Sequence, residues 1–221
     1  MPAEAVDPTT QIPGREKSPF RILLLRHGAA EGSDRGSFIS RTDVDLLPLG
    51  VSQVRMAAGR AAPWLEGVPE IPVFSSPLLR ARRSAEIFCE ELGLPVSSTR
   101  IVEEFIELDL GRWEGETYDS LMEKEPDRLR AHYANFVRSK SPKGESVSDL
   151  ARRVRPAFRS LRRSATGPAA VVVGHAGVNR IILLDALGAP LRNFFRIDVG
   201  LGAFSVIDYH GEAPVVRLVN G

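Results

Sequence analysis

The sequence predicts an α/β protein: a three-layer α/β/α sandwich with a mainly parallel central sheet and a small helical lid. Three observations carry this expectation. Short continuous apolar runs at 21–25, 71–74 and 169–173 read as strands covered on both faces, because a strand with one wet face would alternate polar and apolar residues. Longer segments with helical spacing lie between and after these runs, giving strand then helix three times over. Finally, 221 residues with 43% hydrophobic side chains suffice for one such domain whose core needs no disulfide or structural metal.

Residues 1–19 carry Pro2, Pro8, Pro13 and Pro19 among polar residues, a composition that buries too little apolar surface to offset its ordering entropy. They are expected to form a disordered leader ahead of a single domain at 20–221. The first strand, 21–25, is followed by a helix at 48–65, with proline in its first turn, where the missing N–H has no partner to lose. The second strand, 71–74, leads to a helix at 78–92 closed by Gly93. Residues 116–143 are expected to form a lid of one or two helices. A helix at 147–163, the third strand at 169–173 and a helix at 178–187, stopped by Gly188, complete the repeat. Residues 204–209 and 215–219, parted by His210-Gly211-Glu212, read as late edge strands.

Charge and cysteine content exclude several function classes. The chain has 29 basic and 28 acidic side chains, a net charge of +1, which removes the usual electrostatic basis for general nucleic-acid or membrane-surface binding. Twenty-five of the bases are arginine, an imbalance that genome composition and solubility account for outside the site. The densest run, Arg152, Arg153, Arg155, Arg159, Arg162 and Arg163, falls around much of one helix with no aromatic platform, so no nucleic-acid partner is expected. The single Cys89 excludes an intrachain disulfide framework, and no paired cysteine spacing suits zinc. No apolar run approaches the ~20 residues of a bilayer crossing, and residues 1–19 lack the apolar stretch of a signal peptide. A cytoplasmic protein with no membrane partner is expected, and a homodimer is left open.

Open α/β sheets bind ligands in the crevice at the carboxyl ends of their strands. The residues there are Arg26-His27-Gly28, Ser75-Ser76-Pro77-Leu78-Leu79-Arg80 and Gly174-His175-Ala176-Gly177. One histidine at a strand end is commonly structural; two at equivalent ends of separate core strands point to chemistry. A neutral imidazole attacks phosphorus to form phosphohistidine, splitting one hard displacement into two easier ones. Arg26 and Arg80 are placed to hold the transferring oxyanion through charge-assisted hydrogen bonds. Ser75 and Ser76 read mainly as residues that turn the chain and cap the helix, and Arg82 and Arg83 as solvated arginines on other sides of it. The leaving alkoxide needs a proton, and Glu107 and Asp109 are both candidates that share a face if their segment is extended.

Leu25-Arg26-His27-Gly28, Ser75 through Ala81, Glu107 through Gly115, Gly144-Glu145-Ser146 and Gly174-His175-Ala176-Gly177 occur in the order found in the histidine phosphatase superfamily, the phosphoglycerate-mutase-like proteins, which the chain resembles from about residue 21 to about residue 210. The resemblance implies that His27 is the phosphorylated nucleophile, that Arg26 and Arg80 bind phosphate, and that His175 stabilises the transferring group. It implies Glu107 as the proton donor, because family members place the acid four residues before the glycine matching Gly111. Ser33 and Ala176 complete the expected phosphate contacts. The chain departs from the family at Ala30 and Ser33, where members carry threonine and asparagine, at Ser40 for glycine, and at Leu47 for a helix-capping threonine. Losing that cap costs roughly 1 kcal/mol, partly offset by Pro48.

Family mutases have a long insertion after the acid and a Gly-Leu-Asn-Lys-like stretch; here the stretch reads Gly115-Glu116-Thr117-Tyr118 and only about thirty residues separate Gly115 from Gly144. The resemblance is therefore to the phosphatase branch: a phosphomonoesterase acting on a small phosphorylated metabolite, with no cofactor and no metal, since arginines and histidines supply the positive charge. The alternatives are a cofactor-dependent phosphoglycerate-type mutase and a non-catalytic phospho-ligand-binding or nucleic-acid-binding protein. The lid residues Arg128, Arg130, His132, Tyr133, Arg138, Lys140 and Lys143 read mainly as a solvated face, and His210 has no proposed chemistry.

Overall fold

The run at 21–25 forms the middle of strand β1, Phe20–Arg26, where Ile22 through Leu25 are fully buried. A computed structural model describes residues 18–221; except for Ser18 and Pro19, the expected leader lies outside the described residues. The other strands are β2 (Val73–Ser75), β3 (Arg100–Ile101), β4 (Ala169–Gly174), β5 (Phe204–His210) and β6 (Ala213–Leu218), in the order β3-β2-β4-β1-β5-β6. The first four are mutually parallel, while β5 is antiparallel to β1 and β6 antiparallel to β5.

Alternation along β1 and β4 divides the core between two faces. Ile22, Leu24, Ala170 and Val172 pack with Val154 and Phe158 of α5 (Val147–Ser164) and Ile181 of α6 (Ala176–Ala186). Leu23, Leu25, Val171 and Val173 pack with Ala57 and Ala58 of α1 (Pro48–Leu65) and Phe88 of α2 (Leu79–Leu92). Both faces are dry, which is why the two sequences are continuous apolar runs. Between α2 and α5, α3 (Tyr118–Lys124) and α4 (Pro126–Ala134) make a two-helix lid over a satellite cluster of Trp113, Leu121 and Leu129. Among the described residues, no helix is long and apolar enough to cross a membrane.

Three local expectations need correction, and one strand, β3, is not among the predicted elements. β5 is not an edge strand, because β1 and β6 flank it; the edges are β6 and β3. β3 has two residues and too short a sequence to show a period. β2 begins at Val73 rather than at 71, since Pro72 has no N–H for the ladder. α6 starts at Ala176, two residues early, so His175 itself is the residue before the helix.

The helix starts explain two sequence features. Leu47 precedes α1 with no side-chain cap, and Pro48 opens the helix. Ser146 caps α5 in a reciprocal box with Asp149: the serine Oγ accepts from the Asp149 N–H, and the aspartate accepts from the Ser146 N–H.

Candidate active site

Sheet register assembles the site. Arg26 on β1 pairs with Gly174 on β4, and Ser75 on β2 pairs with Val173, so the residues following three adjacent strands emerge together. The His27 N–H donates to the Gly174 carbonyl at 3.0 Å and the Ser76 N–H to the Val173 carbonyl at 3.0 Å. The two imidazoles consequently lie edge to face, with centroids 5.1 Å apart. The chain must then turn closely past α1: a methyl group on Gly28 would collide with the Gly50 carbonyl oxygen and one on Gly50 with the Ala29 carbonyl oxygen, so both positions require glycine.

The His27 Nδ1 lies 2.7 Å from the Gly28 carbonyl oxygen. A carbonyl only accepts, so Nδ1 carries the hydrogen and Nε2 keeps its lone pair. The Arg80 Nε donates to that Nε2 at 3.3 Å. Burial, then the charges of Arg80 and Arg26, push the His27 pKa well below its ordinary value and hold the ring neutral. His175 is likewise kept neutral by burial, with the two arginines contributing.

Arg80 is 1% exposed, and its plane is fixed by the Thr42 carbonyl at 2.9 Å and the Ser40 carbonyl at 2.5 Å. Glu114 holds that loop, accepting from the N–H groups of Ser40 at 2.9 Å and Thr42 at 3.1 Å and from the Ser40 hydroxyl. Burial alone would raise the Glu114 carboxyl, but these hydrogen bonds outweigh it and leave the pKa below the usual value. The serine at position 40 thus joins the support of Arg80 through both its carbonyl and its side chain. Arg26 donates to the Val199 carbonyl at 2.6 Å, and its buried Nε has no partner among the described residues. Burial lowers the pKa of both guanidinium groups, while the Glu107 carboxylate opposes that shift.

The two acid candidates separate in space. Glu107 accepts from the Leu108 N–H at 2.8 Å and the Gly177 N–H at 3.1 Å, at the start of α6 beside His175. A methyl group on Gly177 would collide with the Glu107 carboxylate, which gives that glycine a reason. Asp109 turns away to the Gly111 N–H at 2.7 Å and to Arg41 at 3.3 Å. Both candidates lie in an irregular stretch between the 3-10 turns Glu103–Phe105 and Gly111–Trp113, not in a strand that would put them on one face.

Ser76 does more than turn the chain: its Oγ accepts from the Leu78 N–H at 3.3 Å and pairs with the His175 Nε2 at 2.7 Å. The Ser75 hydroxyl donates to the Ser76 carbonyl at 3.0 Å. The Ser33 hydroxyl closes its own turn, donating to the Ala30 carbonyl at 2.6 Å and accepting from the Ala30 N–H at 3.1 Å. Ala176 is the first residue of α6.

Two arginines that the sequence left to composition belong to the site's frame. Arg153 on α5 donates to the carbonyls of Glu104 at 2.5 Å, Ile106 at 2.6 Å and Glu107 at 2.9 Å, and pairs with Glu145 at 2.9 Å. Arg180 donates to the Ile197 carbonyl at 2.9 Å and lies over the rings of Phe194 and Phe195. Helical periodicity gives no signal for Arg153: Arg152 and Arg153 lie three and four residues after Asp149 and are both its neighbours on α5. His132 is buried rather than on a solvated face, with its ring edge to face with Trp113 at 4.8 Å. Arg128, Arg130 and Lys140 are exposed and paired with Glu125, Asp127 and Asp149.

Comparison with known proteins places this geometry. The family model described as histidine phosphatase superfamily (branch 1) matches residues 22–221. A Mycobacterium tuberculosis protein named Bifunctional protein Rv2228c is 33% identical over 208 residues, 94% of this chain and 55% of that protein. The chain thus spans about half the length of the mycobacterial relatives it matches. Phosphoserine phosphatase 1 of Hydrogenobacter thermophilus is 26% identical over 200 residues, covering 90% of this chain and 92% of that one. The crystal structure of the alpha-ribazole phosphatase from Shigella flexneri shares the fold, with a TM-score of 0.79 at 23% identity, covering 91% and 96%.

Proposed function

The chain belongs to the histidine phosphatase superfamily, and from that premise we propose that it is a metal-independent phosphomonoesterase acting on a small phosphorylated metabolite through a covalent phosphohistidine on His27. The observation that carries this reading is the tautomer of His27: Nδ1–H is committed to the Gly28 carbonyl, leaving the Nε2 lone pair beside Arg80.

In the first step the Nε2 lone pair attacks phosphorus and the P–O ester bond breaks. Glu107 gives its proton to the departing oxygen, so the alcohol leaves neutral. Arg26 and Arg80 hold the phosphoryl oxygens. With the Ser76 hydroxyl donating to the His175 Nε2, the buried Nδ1, which has no partner among the described residues, carries the remaining hydrogen and is free to meet a phosphoryl oxygen. In the second step Glu107 takes a proton from water as the water oxygen attacks phosphorus. The P–N bond breaks, its electron pair returns to the imidazole, and phosphate leaves.

The lid supports hydrolysis over transfer to a second phosphorylated hydroxyl. Its basic residues Lys124, Arg128, Arg130, Arg138, Lys140 and Lys143 are all exposed, so the lid itself offers a second phosphate no buried cation comparable to Arg80. Phosphate release from a panel of esters, in buffer containing chelator, tests the reading. Release that disappears in His27→Ala and survives chelation is expected; release from no ester, or release indifferent to His27, contradicts it.

A further inference from the structure

A cavity of about 210 Å³ lies beside the acid, between the lid and the 3-10 segment Leu191–Arg196; Leu108, Trp113, His132, Phe136, Arg180 and Phe195 are among its lining residues. Its lining adjoins the support of the acid. Leu108 lines it, and the Leu108 N–H is one of the two donors that hold the Glu107 carboxylate. Arg180 also lines it and is electrostatically coupled to Glu107 and Arg26. An oxygen protonated by Glu107 therefore departs next to this cavity.

The lining is aromatic and largely uncharged. Phe195 touches Phe136 at 4.8 Å, Phe194 at 5.1 Å and Tyr133 at 6.0 Å between centroids, and Tyr133 continues to Tyr118 at 6.0 Å. Phe195 is 51% exposed, Tyr133 38% and Tyr118 49%, so the ladder runs from the cavity to the surface. Contiguous exposed aromatic surface is a common feature of interaction sites, ligand grooves among them. His132 is held neutral by burial, and the Glu145 carboxylate is engaged by Arg153 and Arg41. Arg180 spends its Nε on the Ile197 carbonyl and its face on Phe194 and Phe195.

Resting on the phosphatase reading above, we propose that this cavity is the leaving-group subsite, and that the substrates are phosphomonoesters of alcohols carrying a flat aromatic or other bulky apolar group. Short anionic alcohols leave the aromatic wall unused. Flat groups suit it because ring faces and edges are what it offers.

Matched esters test this without confounding by leaving-group acidity. For 2-phenylethyl phosphate against ethyl phosphate, whose alcohols have similar acidity, kcat/KM should favour the aromatic ester by about tenfold to a hundredfold. Phe195→Ala and Phe136→Ala, the first at a half-exposed position, should each cut that ratio by about threefold or more. A ratio near one in the parent chain overturns the subsite. Preference for phosphoserine over 2-phenylethyl phosphate, lost in Arg180→Met, also overturns it and makes Arg180 a carboxylate anchor. If no ester is turned over, the phosphatase reading fails separately. The subsite is then judged by calorimetric titration with 2-phenylethylphosphonate and ethylphosphonate: tighter binding of the aromatic compound supports it, and equal affinity overturns it.

Discussion

At the phosphate end, His27, Arg80 and His175 follow three adjacent strands, are buried, and are tied to carbonyls or hydroxyls whose own positions are fixed by sheet register or by Glu114. At the leaving-group end, Tyr118, Tyr133, Phe136 and Phe195 come from the short lid helices, the chain after them and a 3-10 segment, and they meet through tilted and edge-to-face ring contacts. One end holds charge in a defined geometry, where a small displacement of a donor costs much of its effect. The other offers area, which tolerates substitution and changes preference gradually. Arg153 and Glu145 join the two, because they carry the segment from which both Glu107 and Leu108 project.

The largest expected effect is at the phosphate end. His27→Ala should lower kcat by about 10⁴-fold or more on every ester, because the alanine methyl leaves no lone pair at the Nε2 position to attack phosphorus. Glu107→Gln should slow alkyl esters by about 10²–10⁴-fold and p-nitrophenyl phosphate far less, since that leaving group hardly needs a proton. Equal slowing of both would break the assignment of the acid. Arg80→Met should cost about 10²–10³-fold in kcat. The same change removes one of the charges that hold His27 neutral, so the acid limb of kcat/KM should move to higher pH.

Arg153→Leu sharpens the comparison, because it loosens the segment that serves both ends without touching substrate. A kcat loss of about tenfold, larger for alkyl esters than for p-nitrophenyl phosphate and partly rescued by Arg153→Lys, is expected. A loss identical for all esters would reduce Arg153 to a stabilising residue. The smallest effect is on stability. Both site histidines stay neutral in the folded chain, whereas in the unfolded chain they take up protons below about pH 6.5. The unfolded state then binds more protons, so stability falls as pH falls, by at most about 1.4 kcal/mol per pH unit for each histidine. Thermal melts between pH 7 and 5 should show a shallower decline in His27→Gln than in the parent.

The contrast between the ends also explains what the sequence reveals. The strand ends are legible because a dry parallel strand leaves a continuous apolar run and the residue after it stands in the crevice; His27 and His175 follow from that rule alone. The choice between Glu107 and Asp109 is not legible from spacing, since it depends on the N–H groups of Leu108 and Gly177, the latter 70 residues away. Arg153 looks like its neighbours in a basic run, and only the fold of residues 103–107 onto α5 distinguishes it. His132 reads as a surface residue because a short lid helix presents too few apolar positions to define a buried face. β5 reads as an edge because alternation reports a covered face and says nothing of how many neighbours a strand has.

The central claim is the covalent intermediate. Mixing the chain with ³²P-labelled ester, quenching in base within the first turnovers and mapping the label by peptide digestion test it directly. Acid-labile, base-stable label on the peptide containing His27, absent from His27→Ala, is the expected result; label on another residue, or undiminished label in His27→Ala, would contradict it.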